Sequence, residues 1–362
     1  LDTAPHLVQP LPLLMPSYEG DPHALWKLRL GNTLYDFMTL PRHPRMPRHS
    51  TLSPAEATAL EPTLPMQGPD AGALRGAILF YDCQMDDARL CIETILDAER
   101  HGAVCLNYCR AEEFRQNEGQ VDSVRVADAL RDDALDLRAR VFVNATGPWV
   151  EQLAAGPGTE PGIRLSPTKG VHLVLPRLQQ NHGIYFQSDR DGRMIFLVPW
   201  DDASLLGTTD TDFTSDPGEA RADEEDVSYL LNQLHSIMPD ANVTQADIIA
   251  SFAGVRALVR SDSARPSSRS REEKIARQGA NLLHVAGGKY TTFRAVADKV
   301  VRQVCQMLGQ RPPACLTRTT ELPDCRPATT GQQLASSPDV FESDIIHACE
   351  AEQAVTLTDV MR

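Results

Sequence analysis

The chain has 362 residues, of which 42% are hydrophobic, and this is enough to fill the cores of two or three domains. Its 49 acidic and 35 basic residues give a formal net charge of −14, which argues against a nucleic-acid-binding protein. The sequence contains no apolar run long enough for a membrane-spanning helix, and its eight cysteines do not fall at metal-binding spacings. We therefore expect no metal site and the reduced thiols of a cytoplasmic protein.

Residues 1–70 are rich in proline and predict an irregular segment that caps the fold or faces a membrane. The prolines within His6–Pro16 exclude a continuous helix, so this apolar stretch is expected to be a loop. The basic cluster Arg42–His49 is typical of a solvated loop, although it could also face an anion or a lipid head group. Ser53 is placed to cap a short helix that begins at Pro54.

Residues 71–160 predict part of a parallel sheet. A strand at 77–81, a helix at 88–101 and a second strand at 103–106 have the spacing of a strand–helix–strand crossover. Residues 124–137 alternate loosely, as in exposed hairpins. The apolar strand 140–145 then leads directly into a Gly-Pro turn, and strands of this kind are typical of buried parallel sheets.

Residues 161–260 predict a second domain with an antiparallel sheet. Turn residues separate strands at 170–175, 193–199, 203–208 and 248–255. A helix over 223–238 interrupts them, with its apolar residues on one face.

Residues 261–312 return to the first domain. A short apolar strand, 281–286, is followed by Gly287-Gly288-Lys289 and by a helix that begins at Thr291. Residues 313–362 predict a linker and a short helical part that begins near Asp339.

The strand–Gly-Gly-Lys–helix segment is the strongest chemical signal. Two glycines allow a close approach to the backbone, and the start of the following helix attracts anions. An ordinary glycine turn with a threonine cap remains an equal alternative on local grounds. The spacing does not match a phosphate-binding Walker loop.

Three further segments are candidate sites. Asn144–Trp149 follows a buried strand, where ligands of open parallel sheets bind. His172 lies within an apolar strand, which is more typical of a core histidine than of a catalyst. Arg256 ends a strand and needs an anionic partner, from the protein or from a ligand. Arg271 is a further candidate.

Together these segments resemble the FAD-dependent glycerol-3-phosphate dehydrogenases, within the larger group that includes glycine oxidase and D-amino-acid oxidase. The similarity runs in family order from residue 4 to about residue 300. Its most specific parts are Asn144-Ala145-Thr146-Gly147-Pro148-Trp149 and Gly287-Gly288-Lys289-Tyr290-Thr291-Thr292-Phe293-Arg294. The other matching stretches are Ala4–Leu7, Tyr81–Cys83, Asp86–Leu90, Lys169–His172, Pro199-Trp200, Gly207–Asp210 and Gly254–Arg256.

The resemblance implies a mixed α/β fold, with a Rossmann-like FAD-binding domain, an antiparallel substrate domain and a shortened C-terminal helical part. It implies FAD as the cofactor and oxidation of sn-glycerol 3-phosphate to dihydroxyacetone phosphate, with hydride transfer to the flavin and electrons passing to a quinone. By position, the catalytic residues would be His172, Arg256 and Lys289, and the substrate would contact these three and Arg271. The residues expected to line FAD are Arg110, Asn144, Ala145, Thr146, Gly147, Trp149, Gly287, Gly288, Lys289, Thr291 and Thr292.

The sequence departs from the family pattern in three places. It contains no GxGxxG motif for the FAD pyrophosphate, so the first domain is expected to be incomplete at its N-terminus. Ala257 stands where the family has proline, and the C-terminal part is short. Two alternatives therefore stay open: a related oxidase of amino acids or amines, and an inactive fragment. The family also implies a homodimer at the cytoplasmic face of a membrane.

Overall fold

The computed structural model describes residues 1–21, 23–39, 46–68, 72–154, 162–260, 272–334 and 337–360. Its strands, numbered along the chain, are β1 (Val8–Tyr18), β2 (Ser50–Leu52), β3 (Leu74–Met85), β4 (Cys109–Asn117), β5 (Gln120–Asp128), β6 (Asp133–Arg138), β7 (Phe142–Asn144), β8 (Thr168–Pro176), β9 (Gly183–Gln187), β10 (Met194–Trp200), β11 (Ala203–Gly207), β12 (Thr211–Asp212), β13 (Ala250–Arg256), β14 (Lys274–Gln278), β15 (Leu282–Ala286), β16 (Gln333–Leu334) and β17 (Ser337–Phe341). Its helices are α1 (Leu25–Thr39), α2 (Pro54–Leu60), α3 (Asp87–Arg100), α4 (Val150–Ala154), α5 (Glu224–Ile237), α6 (Phe293–Met307), α7 (Glu342–Ala351) and α8 (Leu357–Val360).

A nine-stranded sheet dominates the structure. Eight of its strands follow the order β12-β8-β11-β10-β9-β1-β3-β2, and β13 pairs with β8. The pairing is antiparallel except between β1 and β9. Two three-stranded sheets accompany it, β14-β15-β7 and β4-β5-β6. The mixed α/β class and the antiparallel sheet predicted from the sequence are therefore confirmed.

The main core lies between one face of the large sheet and α5. Strand β8 alternates, so Val171, Leu173 and Leu175 are fully buried against this helix. Helix α5 begins at an Asp223 capping box and contributes Leu230 and Leu234, both fully buried. The alternation of β8 thus fixes which of its residues remain on the other face of the sheet.

A buried lysine fastens β8 to α5. Lys169 lies on the same face of β8 as the core leucines, and its Nζ is 2.6 Å from carboxylate oxygens of both Asp223 and Asp226. Burial opposes the charge on Lys169, but the two carboxylates outweigh it and raise the pKa of the ammonium group. Because Asp226 is itself buried, the pair would be costly to break.

The prediction of an irregular N-terminal segment is wrong for Val8–Tyr18, which forms β1 and pairs with β3 along its whole length. Pro10, Pro12 and Pro16 are all even-numbered, so their missing N–H groups lie on one edge of the strand, and the other edge keeps its donors. Leu25–Thr39 is likewise a helix rather than a loop. The part of the basic cluster at 42–45 lies outside the described residues.

The predicted crossover between residues 77 and 106 is also wrong. Strand β3 pairs antiparallel with β1 and β2 and belongs to the large sheet. Residues 103–106 form no strand, and Val104 is 84% exposed. The Gln353 side chain donates to the carbonyl of Cys105 at 3.1 Å, so this segment is held by the C-terminal part of the chain. The boundaries drawn at 70, 160, 260 and 312 stay predictions.

The remaining predicted elements agree with the structure, although the helix expected near Asp339 begins at Glu342, after the strand pair β16-β17, and is followed by the short helix α8. Within the described part of the chain, no helix combines the length and the apolar character needed to cross a membrane.

The alternation of β8 leads to a stability prediction. Leu173→Ala removes a side chain that is fully buried, and we expect it to lower the free energy of unfolding by about 2–5 kcal/mol. Leu130→Ala is the matched control, since Leu130 is 53% exposed, and it should change stability by less than about 0.5 kcal/mol. Urea unfolding of both variants measures the difference. Equal losses would show that β8 does not bury Leu173 in solution.

Candidate functional site

The open face of the large sheet carries a row of aromatic rings. His172 on β8 stacks on Phe252 of β13, with ring centroids 5.1 Å apart and planes 17° apart. Across the sheet, Tyr185 stacks on Phe196 at 5.4 Å and meets Phe80 edge-on at 6.0 Å. These rings belong to β3, β8, β9, β10 and β13, so the sheet register assembles residues that are far apart in the sequence.

Glycines make room for the larger groups of this face. Gly207 lies directly opposite His172, and a Cβ there would overlap the imidazole ring. Gly170 lies beneath the Arg256 guanidinium in the same way. Both positions therefore require glycine because a neighbouring functional side chain occupies the space.

Arg256 is held by the chain that follows β11. Its Nη1 donates to the carbonyl of Thr209 at 3.3 Å and lies 3.4 Å from Oδ1 of Asp210, and its Nη2 donates to Oγ1 of Thr208 at 3.2 Å. The side chain is still 26% exposed. The predicted need for an anionic partner is met by Asp210, which is buried.

The environment of His172 keeps its imidazole neutral. Burial and the Arg256 charge lower the pKa of His172 from 6.5 to about 4, while Asp87 acts in the opposite direction. No hydrogen bond from the described residues engages the ring. The imidazole is therefore unprotonated throughout the physiological pH range.

A second group of predicted residues meets at the ends of β7 and β15. These strands are parallel, with Asn144 opposite His284, so the turns that follow them lie side by side. The Asn144 side chain is buried and donates to the carbonyl of Val150 at 3.0 Å and to Nδ1 of His284 at 3.1 Å. Its Oδ1 accepts from Oγ1 of Thr146 at 2.7 Å. Asn144 thus shapes the turn, and its predicted role toward FAD stays a prediction.

The turn after β15 has the form expected for close backbone approach. Gly287 and Gly288 adopt positive φ angles of 74° and 84°. A Cβ at Gly147 would meet no atom within 4 Å, so this glycine borders open space, whereas a Cβ at Gly288 would be in ordinary van der Waals contact with its neighbours at 3.7 Å. Helix α6 begins without a side-chain cap at Thr292 and directly continues a short 3-10 turn, Tyr290–Thr292, so that the N–H of Phe293 donates to the carbonyl of Tyr290.

The remaining predicted residues of this turn are on the surface. Lys289, Thr291 and Thr292 are exposed, and Thr292 Oγ1 accepts from the Lys289 N–H at 3.2 Å. Ala145 and Trp149 are also exposed, and Trp149 Nε1 donates to Asp216 Oδ1 at 3.3 Å. The predicted roles of these side chains toward FAD stay predictions.

Arg110 and Arg271 are the remaining predicted residues, and their predicted roles stay predictions. Arg110 is on β4, in a different sheet from His172, and its exposed side chain pairs with Glu112 at 3.0 Å. Arg271 lies outside the described residues.

Sequence reasoning missed Tyr290 and Asp87. The Tyr290 hydroxyl donates to the carbonyl of Asp87 at 2.7 Å, which ties the glycine turn to the start of α3 near His172. Burial, followed by nearby Cys91, Asp87 and Asp86, raises the pKa of Tyr290 to about 12, so it remains a donor. The two residues are 203 positions apart, and no local pattern links them.

Comparison with known proteins places this arrangement in a family. The model of the FAD dependent oxidoreductases matches residues 10–301. The aerobic glycerol-3-phosphate dehydrogenase of Staphylococcus aureus strain USA300 is 33% identical over 310 residues, which are 85% of this chain and 54% of that protein. The glycerol-3-phosphate dehydrogenase of Bacillus halodurans, solved with FAD, superposes with a TM-score of 0.71 at 30% identity, covering 88% of this chain and 55% of that one.

More distant structures share the fold alone. The L-alpha-glycerophosphate oxidase of Mycoplasma pneumoniae with FAD bound is 15% identical, with a TM-score of 0.61, and covers 88% of this chain and 78% of its own. Glycine oxidase from Geobacillus kaustophilus is 20% identical, with a TM-score of 0.54, and covers 86% and 74%.

This chain belongs to the FAD dependent oxidoreductase family, and FAD is the family's cofactor. The family resemblance read from the sequence is confirmed. The chain spans about half the length of the curated relatives it matches. Its residues fit a flat ring system: Gly147 borders open space, Gly287 and Gly288 adopt positive φ angles in the turn after β15, and His172 lies on an aromatic face.

The electrostatic coupling between Arg256 and His172 can be measured directly. Arg256→Gln removes a positive charge that disfavours the imidazolium, so we expect the pKa of His172 to rise from about 4. An NMR titration of the His172 ring follows this change. Arg260→Gln is the control, since Arg260 is exposed beyond the end of β13, and it should leave the titration unchanged. A His172 pKa that does not rise in Arg256→Gln would contradict the coupling.

Proposed function

We propose that this chain provides the substrate side of an FAD-dependent dehydrogenase that oxidises sn-glycerol 3-phosphate to dihydroxyacetone phosphate. The observation that carries the proposal is the pair formed by His172 and Arg256. A neutral imidazole and a guanidinium lie on neighbouring strands of one open face, above glycines that leave room for these two side chains. Relatives named for glycerol 3-phosphate support the choice of substrate.

Oxidation of a secondary alcohol needs a base for the hydroxyl proton and an acceptor for the C2 hydrogen with its electron pair. When bound, FAD supplies the two-electron acceptor. His172 takes the hydroxyl proton on a ring nitrogen, because its depressed pKa keeps it unprotonated before substrate binds. The C2–O bond becomes a carbonyl as the hydroxyl proton passes to His172 and the C2 hydrogen leaves with its electron pair to the acceptor.

Arg256 and Lys289 supply the charge that a phosphate monoester requires. Arg256 is held in place by three residues of the chain after β11, so little side-chain freedom is lost when it binds an anion. Lys289 is exposed at the start of α6. Arg271 completes the proposed set by its position in the family pattern. We further propose a quinone as the electron acceptor, in keeping with the aerobic dehydrogenases that this chain resembles.

Substrate class is tested by anaerobic bleaching of the flavin in the FAD-loaded enzyme. Glycerol 3-phosphate should reduce the flavin, whereas glycerol should do so at least about 100-fold less efficiently, because it lacks the phosphate that the cations bind. Reduction by glycine with release of ammonia, and none by glycerol 3-phosphate, would overturn the proposal in favour of an amine oxidase.

His172→Asn should lower kcat for glycerol 3-phosphate by about 10²–10⁴-fold, because the hydroxyl proton loses its acceptor. KM should change little, since the phosphate contacts remain. Steady-state dye reduction measures both constants. His101→Asn is the control, because the His101 side chain is 79% exposed on the surface, and it should match the parent enzyme. A kcat for His172→Asn within about threefold of the parent would exclude His172 as the base.

Arg256→Gln should raise KM for glycerol 3-phosphate by about 10–150-fold, the usual loss for a charge-assisted hydrogen bond. The matched control, Arg277→Gln, alters an exposed arginine on β14 and should leave KM unchanged. If kcat/KM is the same in Arg256→Gln and in the parent, Arg256 does not bind substrate.

A further inference from the structure

Asp210 is a buried carboxylate beside a cation that is partly open to solvent. Its side chain is 4% exposed, and its Oδ1 lies 3.4 Å from Nη1 of Arg256, whose side chain is 26% exposed. Burial of a charged carboxylate is costly, and a neutral oxygen can accept the same hydrogen bond. The carbonyl of Thr209 already does so, at 3.3 Å from the same Nη1. What Asp210 adds to this arrangement is therefore a negative charge.

The chain on both sides of Asp210 is fastened to the large sheet. Thr209 is 2% exposed, and its Oγ1 accepts a hydrogen bond from the Val171 N–H of β8 at 3.0 Å. The carbonyl of Asp210 accepts from Nη2 of Arg193 at 3.1 Å, and β12, which pairs with β8, begins at the next residue. The carboxylate of Asp210 therefore keeps its place beside Arg256 when a ligand arrives.

A ligand anion that contacts Arg256 also feels Asp210. Hydrogen bonding to the guanidinium brings the anion within roughly 7 Å of the carboxylate, because each lies about 3–3.5 Å from the guanidinium nitrogens. Like charges at this distance repel each other appreciably at an effective dielectric constant of about 20. The repulsion is proportional to the charge of the ligand, so a dianion loses more than a monoanion. Asp210 thus opposes the attraction that Arg256 exerts on a phosphate group.

We propose that Asp210 sets the affinity of this site for anions, as a fixed counter-ion that keeps Arg256 from binding a phosphate group too tightly. The inference rests on the proposed role of Arg256 in binding the substrate phosphate. That phosphate is present in glycerol 3-phosphate and in dihydroxyacetone phosphate alike. A tight hold on it stabilises substrate, transition state and product equally, which slows product release without accelerating the chemical step. Asp210 limits this unproductive part of the binding energy.

Titration calorimetry with two tetrahedral anions, the dianion sulfate and the monoanion methyl sulfate, tests the proposal. Asp210→Asn keeps the shape of the side chain and an Oδ1 acceptor for Arg256, and it removes only the charge. The Kd for sulfate should fall by at least about tenfold and the Kd for methyl sulfate by about threefold, because the repulsion scales with ligand charge. If Asp210 served only to orient Arg256, the substitution would weaken the binding of both anions.

The consequence for turnover is measured by product inhibition of the FAD-loaded enzyme. Dihydroxyacetone phosphate should inhibit Asp210→Asn at about tenfold lower concentration than the parent, because the product retains the phosphate. Inhibition by unphosphorylated dihydroxyacetone should be the same in both proteins.

Two controls accompany these titrations. Asp240→Asn alters an exposed acid beyond the end of α5 and should bind both anions like the parent. Thermal melting gives a measurement that needs neither a ligand nor the single variant Asp210→Asn. Arg256→Gln leaves the buried carboxylate of Asp210 without the guanidinium and should melt below the parent, whereas Arg256→Gln/Asp210→Asn should melt above Arg256→Gln.

Three results would overturn the role of Asp210: sulfate binding by Asp210→Asn that is no tighter than in the parent, an equal gain for both anions, or a double variant that melts no higher than Arg256→Gln. The titrations also separate this inference from the proposed function. If Arg256→Gln binds sulfate as well as the parent does, the proposed role of Arg256 has failed. If Arg256→Gln loses sulfate while Asp210→Asn gains none, only the role of Asp210 has failed.

Discussion

Strand β8 separates two different environments: the apolar core on one face of the large sheet and the aromatic face with His172 on the other. The arrangement of the candidate site depends on this separation. The odd-numbered residues of β8 are packed against α5, and Lys169 fastens that side to two carboxylates. Because side chains alternate along a strand, the even-numbered residues are forced to the opposite face. A slip of one residue would bury His172 in the core and expose Leu173. The buried ion pair and the apolar core therefore fix the orientation of His172 before any ligand is present.

Close packing then determines the chemistry of the open face. His172 and Arg256 fit only because Gly207 and Gly170 have no side chains, and the confinement that results removes water from the imidazole. Loss of water and the nearby guanidinium both disfavour the imidazolium, so a geometric feature of the sheet becomes a depressed pKa. Asp210 moderates the field of Arg256 without cancelling it. The glycines that admit these two side chains thus also set the protonation state of His172.

The sequence predicts those parts of the fold whose signals are local. The helix that follows Asp86, the strand that contains His172 and the turn at Gly287 all have patterns within a few residues, and the structure contains them. Strand β1 could not be predicted in this way, because prolines exclude a helix but do not reveal that their missing donors share one edge. The contact between Tyr290 and Asp87 depends on how two separate elements dock. Local patterns singled out Arg256 and the turn that contains Lys289, but their roles toward the substrate came only from the family resemblance.

The depressed pKa of His172 has a consequence for the order of events in the proposed reaction. A group with a pKa near 4 is unprotonated in the free protein, so its ring nitrogen is available before substrate binds. The same low pKa makes it a weak base, with a low affinity for the proton. An anion that binds Arg256 offsets the positive charge that acts on the imidazole, and this raises the proton affinity of His172 at the moment when an alcohol is beside it. A neutral alcohol cannot produce this change. Discrimination between a phosphorylated and an unphosphorylated polyol would therefore arise in the proton-transfer step as well as in binding, and kcat as well as KM would depend on the phosphate.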